Sequence, residues 1–128
     1  MGLVWTADED KKRITIEYDG IITSHEINNI SQALQDPTID GFTLLVDFTR
    51  VDAKQVAHTE LASEIQTQVA LLMERKIARM AHVASNADQD HLLGFFIAIK
   101  ELVPGNEVIQ VGKFSDLPAA NNWLDEKQ

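Results

Sequence analysis

Asp47, Thr49 and Arg50 stand at the end of one apolar run, and Ser85, Asn86, Asp88, Asp90 and His91 follow another. A carboxylate near an imidazole can orient it as a general base or raise its pKa. Asp47 and His91 are therefore the pair an enzyme would use. Ligands of open α/β sheets sit outside the carboxyl ends of the strands. If the two runs are neighbouring strands, Asp47, Thr49, Ser85, Asp88 and His91 face one crevice there. No serine or cysteine nucleophile on a recognisable elbow accompanies them, so no catalytic residue is assigned. Asp88, Gln89 and Asp90 equally suit the first turn of a helix, where negative charge meets the positive end of the macrodipole. That is the commoner role for acidic residues at a helix start.

Other chemistries find less support. The four histidines are His25, His58, His82 and His91, and no two have the i, i+4 helical spacing of a His-Glu-x-x-His zinc site. No metal site is expected, and His82 reads as a hydrogen-bonded imidazole inside a strand. Cysteine is absent, which removes disulfides, thiolate catalysis and Cys-ligated zinc or iron–sulfur clusters. Neither G-x-x-x-x-G-K-[ST] nor G-x-G-x-x-G occurs, and the six glycines are scattered among turns. No cofactor follows from any motif. Arg75-Lys76-Ile77-Ala78-Arg79 is a basic cluster between a helix end and a strand, placed to complement the helix C-terminus.

At 128 residues the chain fits one domain, 1–128, with enough length for a core without staples. An apolar fraction of 45% against 24% charged residues is a globular balance. The net charge of −9 is a poor footprint for nucleic acid or an anionic membrane. No apolar run approaches the ~20 residues that span a bilayer. Met1-Gly2-Leu3-Val4-Trp5 does not read as a signal peptide, so the default expectation is a cytoplasmic protein.

The elements that must position these residues are read from periodicity. Leu3, Trp5 and Ala7 alternate with Val4, Thr6 and Asp8, and Ile14, Ile16 and Tyr18 alternate with Thr15 and Glu17, across the charged turn Glu9-Asp10-Lys11-Lys12, which predicts a hairpin. Thr23-x-x-Glu26 has capping-box spacing, and Ile27, Ile30, Ala33 and Leu34 form the stripe of a first helix that stops at Asp36-Pro37. Phe42 to Phe48 is a nearly continuous apolar run, the mark of a central strand covered on both faces. A second helix is expected from about Val51 to Arg75, and a short strand from Ile77 to Ala84. A third helix capped by Asp88 runs to about Val103, where Pro104-Gly105 ends it. Val108–Val111 is the last strand, and Ser115 caps a final helix with Ala119, Ala120, Trp123 and Leu124. The order β-β-α-β-α-β-α-β-α predicts an α/β fold: one mixed sheet, a parallel core with an antiparallel N-terminal hairpin, covered by about four helices.

That order, together with three strings, resembles a STAS domain, the fold of bacterial anti-sigma-factor antagonists. The strings are Ile14-Thr15-Ile16-Glu17-Tyr18-Asp19-Gly20-Ile21-Ile22-Thr23, Leu44-Leu45-Val46-Asp47-Phe48-Thr49-Arg50-Val51, and Val111-Gly112-Lys113-Phe114-Ser115-Asp116 leading to Ala120 and Trp123-Leu124. The ending is similar to the STAS-like branch related to lipid-binding CRAL-TRIO domains. The resemblance implies a regulatory module acting through protein contacts. Signalling STAS domains carry a phosphorylatable serine just after the strand ending at Asp47. Here the stretch reads Val51-Asp52-Ala53-Lys54-Gln55, with no hydroxyl, so no phosphosite carries over.

The third helix, His91 to Val103, holds the remaining functional expectation. Leu92, Phe95 or Phe96, Ile99 and Leu102 already supply one apolar stripe, and Leu93 and Ile97 form a second line. Leu93, Phe96 and Ile97 are accordingly expected to meet another surface: a second copy in a homodimer, a regulatory protein partner, or an apolar small molecule. Gly94 costs about 1 kcal/mol against alanine and suggests close approach of another backbone. The sequence thus supports a non-catalytic, homodimeric interaction module first, an apolar-ligand-binding domain second, and an enzyme built on Asp47 and His91 third.

Overall fold

The computed structural model describes residues 2–55 and 58–126; the side chains of residues 55 and 58–60 lie outside the description. β1 (Gly2–Asp8) and β2 (Arg13–Gly20) form the expected antiparallel hairpin, with Trp5 opposite Ile16. The Asp8 carboxylate accepts the N–H groups of Asp10 and Lys11 at 3.0 and 3.1 Å, tightening the turn. α1 (Ser24–Ala33) follows, then β3 (Thr43–Val51), α2 (His58–Glu74), β4 (Arg79–Val83), α3 (Ala87–Glu101), β5 (Gln110–Phe114) and α4 (Leu117–Asp125).

Several boundaries differ from the periodicity reading, each for a local reason. Thr23 is the N-cap of α1, but its hydroxyl goes to the Glu26 carboxylate and not to a backbone N–H. Val51 still belongs to β3, paired with Gly20, and α2 begins at His58 after a 3-10 turn at Ala53–Gln55. α3 is capped by Asn86, whose Oδ1 accepts the Gln89 N–H at 2.9 Å; Asp88 sits in the first turn. Gly105, at φ 85°, turns the chain into a 3-10 segment, Asn106–Val108. The last strand therefore starts at Gln110, two residues later than expected. Asp116, not Ser115, caps α4 by accepting the Ala119 N–H at 2.8 Å.

The five strands lie in the order β1-β2-β3-β4-β5, with β1 antiparallel to β2 and all other pairs parallel. Right-handed crossovers that always step the same way must all lie on one face. α1, α2 and α3 accordingly share one side, over Ile14, Ile16, Leu44, Val46, Phe48 and Met80. α4 alone covers part of the other side, packing Ala120 and Leu124 on Leu45, Ala81 and Val83. Two buried arginines fasten it. Arg13 reaches Thr43, Asn121 and Asp125, the last at 2.6 Å, and Arg79 donates to the Glu126 carbonyl at 3.0 Å. Arg79 thus complements the C-terminus of α4, while Arg75 ion-pairs with Asp40 and Glu74.

The reading of α3 is corrected by its packing. Leu93 is 0% exposed and Phe96 is buried, both within the protomer's main core, and Ile97 is half-buried against it. Leu92, Leu93, Phe96 and Ile99 make one wide inward face instead of two opposed lines. The solvent side is Ala87, His91, Gly94, Ala98 and Glu101, spaced by three and four, small or polar throughout. Among the described residues outside the helix's own backbone, nothing lies within 4 Å of where a Cβ of Gly94 would stand.

Candidate functional site

The five strand-end residues do not converge. Asp47 is buried on the α4 side of the sheet, and its carboxylate accepts the Thr49 N–H at 2.8 Å. Beside it in register stands Glu17; Thr15, Thr49, Arg50, Leu117 and Asn121 complete a shallow cleft there. Ser85 is tied elsewhere: its N–H and hydroxyl donate to Gln89 Oε1 at 2.8 and 2.9 Å. Asp88 is exposed in the first turn of α3. His91 lines a separate groove with Asp90, Gly94, Phe95 and Lys113, where Lys113 pairs with Asp90 at 2.9 Å. The reason is topological. A ligand crevice at strand ends forms where the strand order reverses, and this order never reverses. Asp47 and His91 thus line different clefts.

Gln89 was passed over as a first-turn residue, yet it is the best-connected side chain of this end. It is buried, and its Nε2 donates to the Val51 carbonyl at 3.1 Å while its Oε1 holds Ser85. One amide therefore joins the end of β3 to the β4–α3 loop. Its signal in the sequence is faint, since glutamine is ordinary on a helix surface.

A partly enclosed concavity lies on the other face, between the sheet and α2 and α3. Ile16, Leu44, Val46, Ile65, Val69 and Met80 make most of its wall, with Phe96, Ile97 and Val111 beside them. Four polar side chains also reach it: Tyr18, Gln68, His82 and Lys100. Its volume is about 20 Å³, room for one water. β4 sends Met80 and His82 to this face by strict alternation, and His82 ends up 3% exposed. Burial, with Lys113 nearby, lowers its pKa to about 3, so the imidazole is neutral. Its ring lies 5.8 Å from Phe48, and Nδ1 is buried with no hydrogen-bond partner among the described residues. The strand placement expected for His82 is what the structure shows; a partner for Nδ1 is not. Tyr18 is hydrogen-bonded to Gln68, and burial pushes its hydroxyl pKa up. Lys100 Nζ donates to Asn106 Oδ1 at 3.1 Å.

Among the described residues, no three His, Asp or Glu side chains are grouped as metal ligands. No helix among them is long and apolar enough to cross a membrane. No family model matches the chain, and no curated protein does. A solved structure does: a protein of the DUF3478 family with a SpoIIAA-like fold, from Shewanella loihica PV-4, at TM-score 0.59 and 14% identity, covering 96% of this chain and 92% of that one. The fold is SpoIIAA-like. It is thus STAS-like, as the strings of the sequence implied, and at this identity the likeness speaks for the fold alone. In the SpoIIAA-like frame the segment after β3 is the 3-10 turn Ala53–Gln55, where the Asp52 carboxylate accepts the Lys54 N–H at 3.2 Å.

Proposed function

We propose that this SpoIIAA-like protein is a non-catalytic binding module whose ligand is a small, mainly apolar molecule seated beneath α2 and α3. The observation that carries the reading is the hollow itself, an aliphatic and aromatic wall around a few polar atoms, one of them orphaned. Apolar walls with convergent polar groups and a strongly shifted titratable residue are the usual make-up of small-molecule sites. Since the hollow has room for one water, a larger guest must displace Val69 of α2 and Ile97 of α3 outward. Its apparent affinity is then lowered by the fraction of molecules that are open. Displacing these helices alters the surface they present, which links ligand binding to the regulatory protein contacts implied by the resemblance. A homodimer through Leu93, Phe96 and Ile97 is not part of the proposal, because the first two are spent inside the protomer.

The test is a methyl-NMR titration of labelled protein with hexane, 1-hexanol and hexanoate. Saturable shifts at Ile16, Val69, Ile97 and Val111 for at least one probe are expected, and Val69→Trp, which fills the hollow, should abolish them. No saturable shift with any probe overturns the reading.

A further inference from the structure

We infer that the hollow is a single-oxygen site: one neutral oxygen atom, a water in the free protein and the hydroxyl of the ligand once bound, hydrogen-bonds Nδ1 of His82. A polar nitrogen buried without a partner carries its full desolvation cost. His82 Nδ1 is such an atom, and His82 lines a space the size of one water. A buried water needs two to four polar partners. Gln68 and Tyr18 line the same hollow and are already hydrogen-bonded to each other, which leaves Gln68 a remaining amide group to offer. The site is therefore polar at one point and greasy everywhere else.

The same geometry selects the chemistry of the ligand. A hydroxyl both donates and accepts, so it satisfies Nδ1 in either tautomer of the imidazole. A carboxylate would be buried beside a ring that stays neutral to about pH 3, and burying an uncompensated charge is far costlier than burying a hydroxyl. Lys100, the cation at the wall, gives one of its three N–H groups to Asn106, so a carboxylate would be drawn to that ammonium and not to Nδ1. An alkane leaves Nδ1 as orphaned as before. The site thus favours an apolar molecule with one alcohol group.

The ligand half of this inference rests on the binding function proposed above; the water half stands without it. A crystal structure of the free protein at about 1.5 Å or better should show one water at hydrogen-bond distance from His82 Nδ1, roughly 2.8–3.2 Å. A structure with no density there overturns the inference. For the ligand, 1-hexanol is compared with hexane on wild type and His82→Phe. The preference for the alcohol should fall roughly tenfold on substitution, one hydrogen bond's worth. Should His82→Phe fail to fold, His82→Asn, which keeps a polar group set further back, should show a smaller loss in the same direction. An alcohol preference that survives both substitutions overturns the ligand half while leaving the binding function intact. Binding of neither probe, with the water in place, removes the binding function and upholds the site as one for water.

Discussion

The guanidinium of Arg79 lies 4.0 Å from the ring centroid of Trp123. Arg79 is buried on β4 and Trp123 is half-buried on α4, so this contact, with the Arg79 bond to the Glu126 carbonyl, clamps the C-terminal helix to the sheet. Arg79→Ala should lower stability by about 2–3 kcal/mol, the sum of a desolvated cation–π contact and a charged hydrogen bond. Arg79→Lys should recover only part, because an ammonium cannot stack flat and donate sideways at once. Urea unfolding followed by tryptophan fluorescence checks both. Equal stability for the three proteins would mean that Arg13, Ala120 and Leu124 hold α4 without help from Arg79.

Gln89 ties Val51 to Ser85 from inside the fold. Gln89→Leu should cost about 1–3 kcal/mol, since it strands the Val51 carbonyl and releases Ser85 to solvent. Hydrogen exchange should then speed up at the β4–α3 loop before it does so in α2. Uniform exchange rates would show that the amide does not organise this end.

Gly94 →Ala should raise stability by roughly 0.5–1 kcal/mol, as the position is helical, exposed and clear of neighbours. The corresponding rise in melting temperature is roughly 2–5 °C. A fall instead would indicate that another molecule packs closely against this helix, and sedimentation of the same variant would show whether it is a second copy.

His82 sets an acid dependence. Its pKa is about 3 in the folded protein against an ordinary 6.5, so the unfolded chain takes up this proton first as pH falls. The stability tied to the neutral ring is fully present above about pH 6.5 and is lost downward toward pH 3. Over that span the loss approaches about 1.4 kcal/mol per pH unit. Chemical denaturation between pH 7 and 5 should show this slope, and His82→Phe should flatten it. A slope unchanged in the variant would assign the proton uptake to another group.

Much of the architecture was legible because it is written in short-range pattern. The parity of Ile14, Ile16 and Tyr18, the unbroken run from Phe42 to Phe48, and the breaks at Pro37 and Gly105 each report local geometry. The strand character of Gln110–Phe114 was harder to see, since Gly112 and Lys113 break the alternation. Parallel pairing with β4, from Arg79 opposite Gln110 to Val83 opposite Phe114, holds that segment in the sheet. The candidate site was least legible. Asp47, Ser85 and His91 look alike as polar residues at strand ends, and nothing local tells that they point into different places. His82 could have been placed by counting two residues from Met80, but its missing partner depends on Gln68 of α2 and Phe48 of β3.

From the sequence alone came the identity and order of the elements, and with them a mixed sheet, because periodicity and chain chirality act within a few residues. Tertiary structure decided which apolar flank of α3 is interior, that the five strand-end residues share no one crevice, and that His82 Nδ1 has no hydrogen-bond partner among the described residues. Those are questions of distance between residues far apart in the chain, and they are answered only when the sheet and its helices have closed on one another.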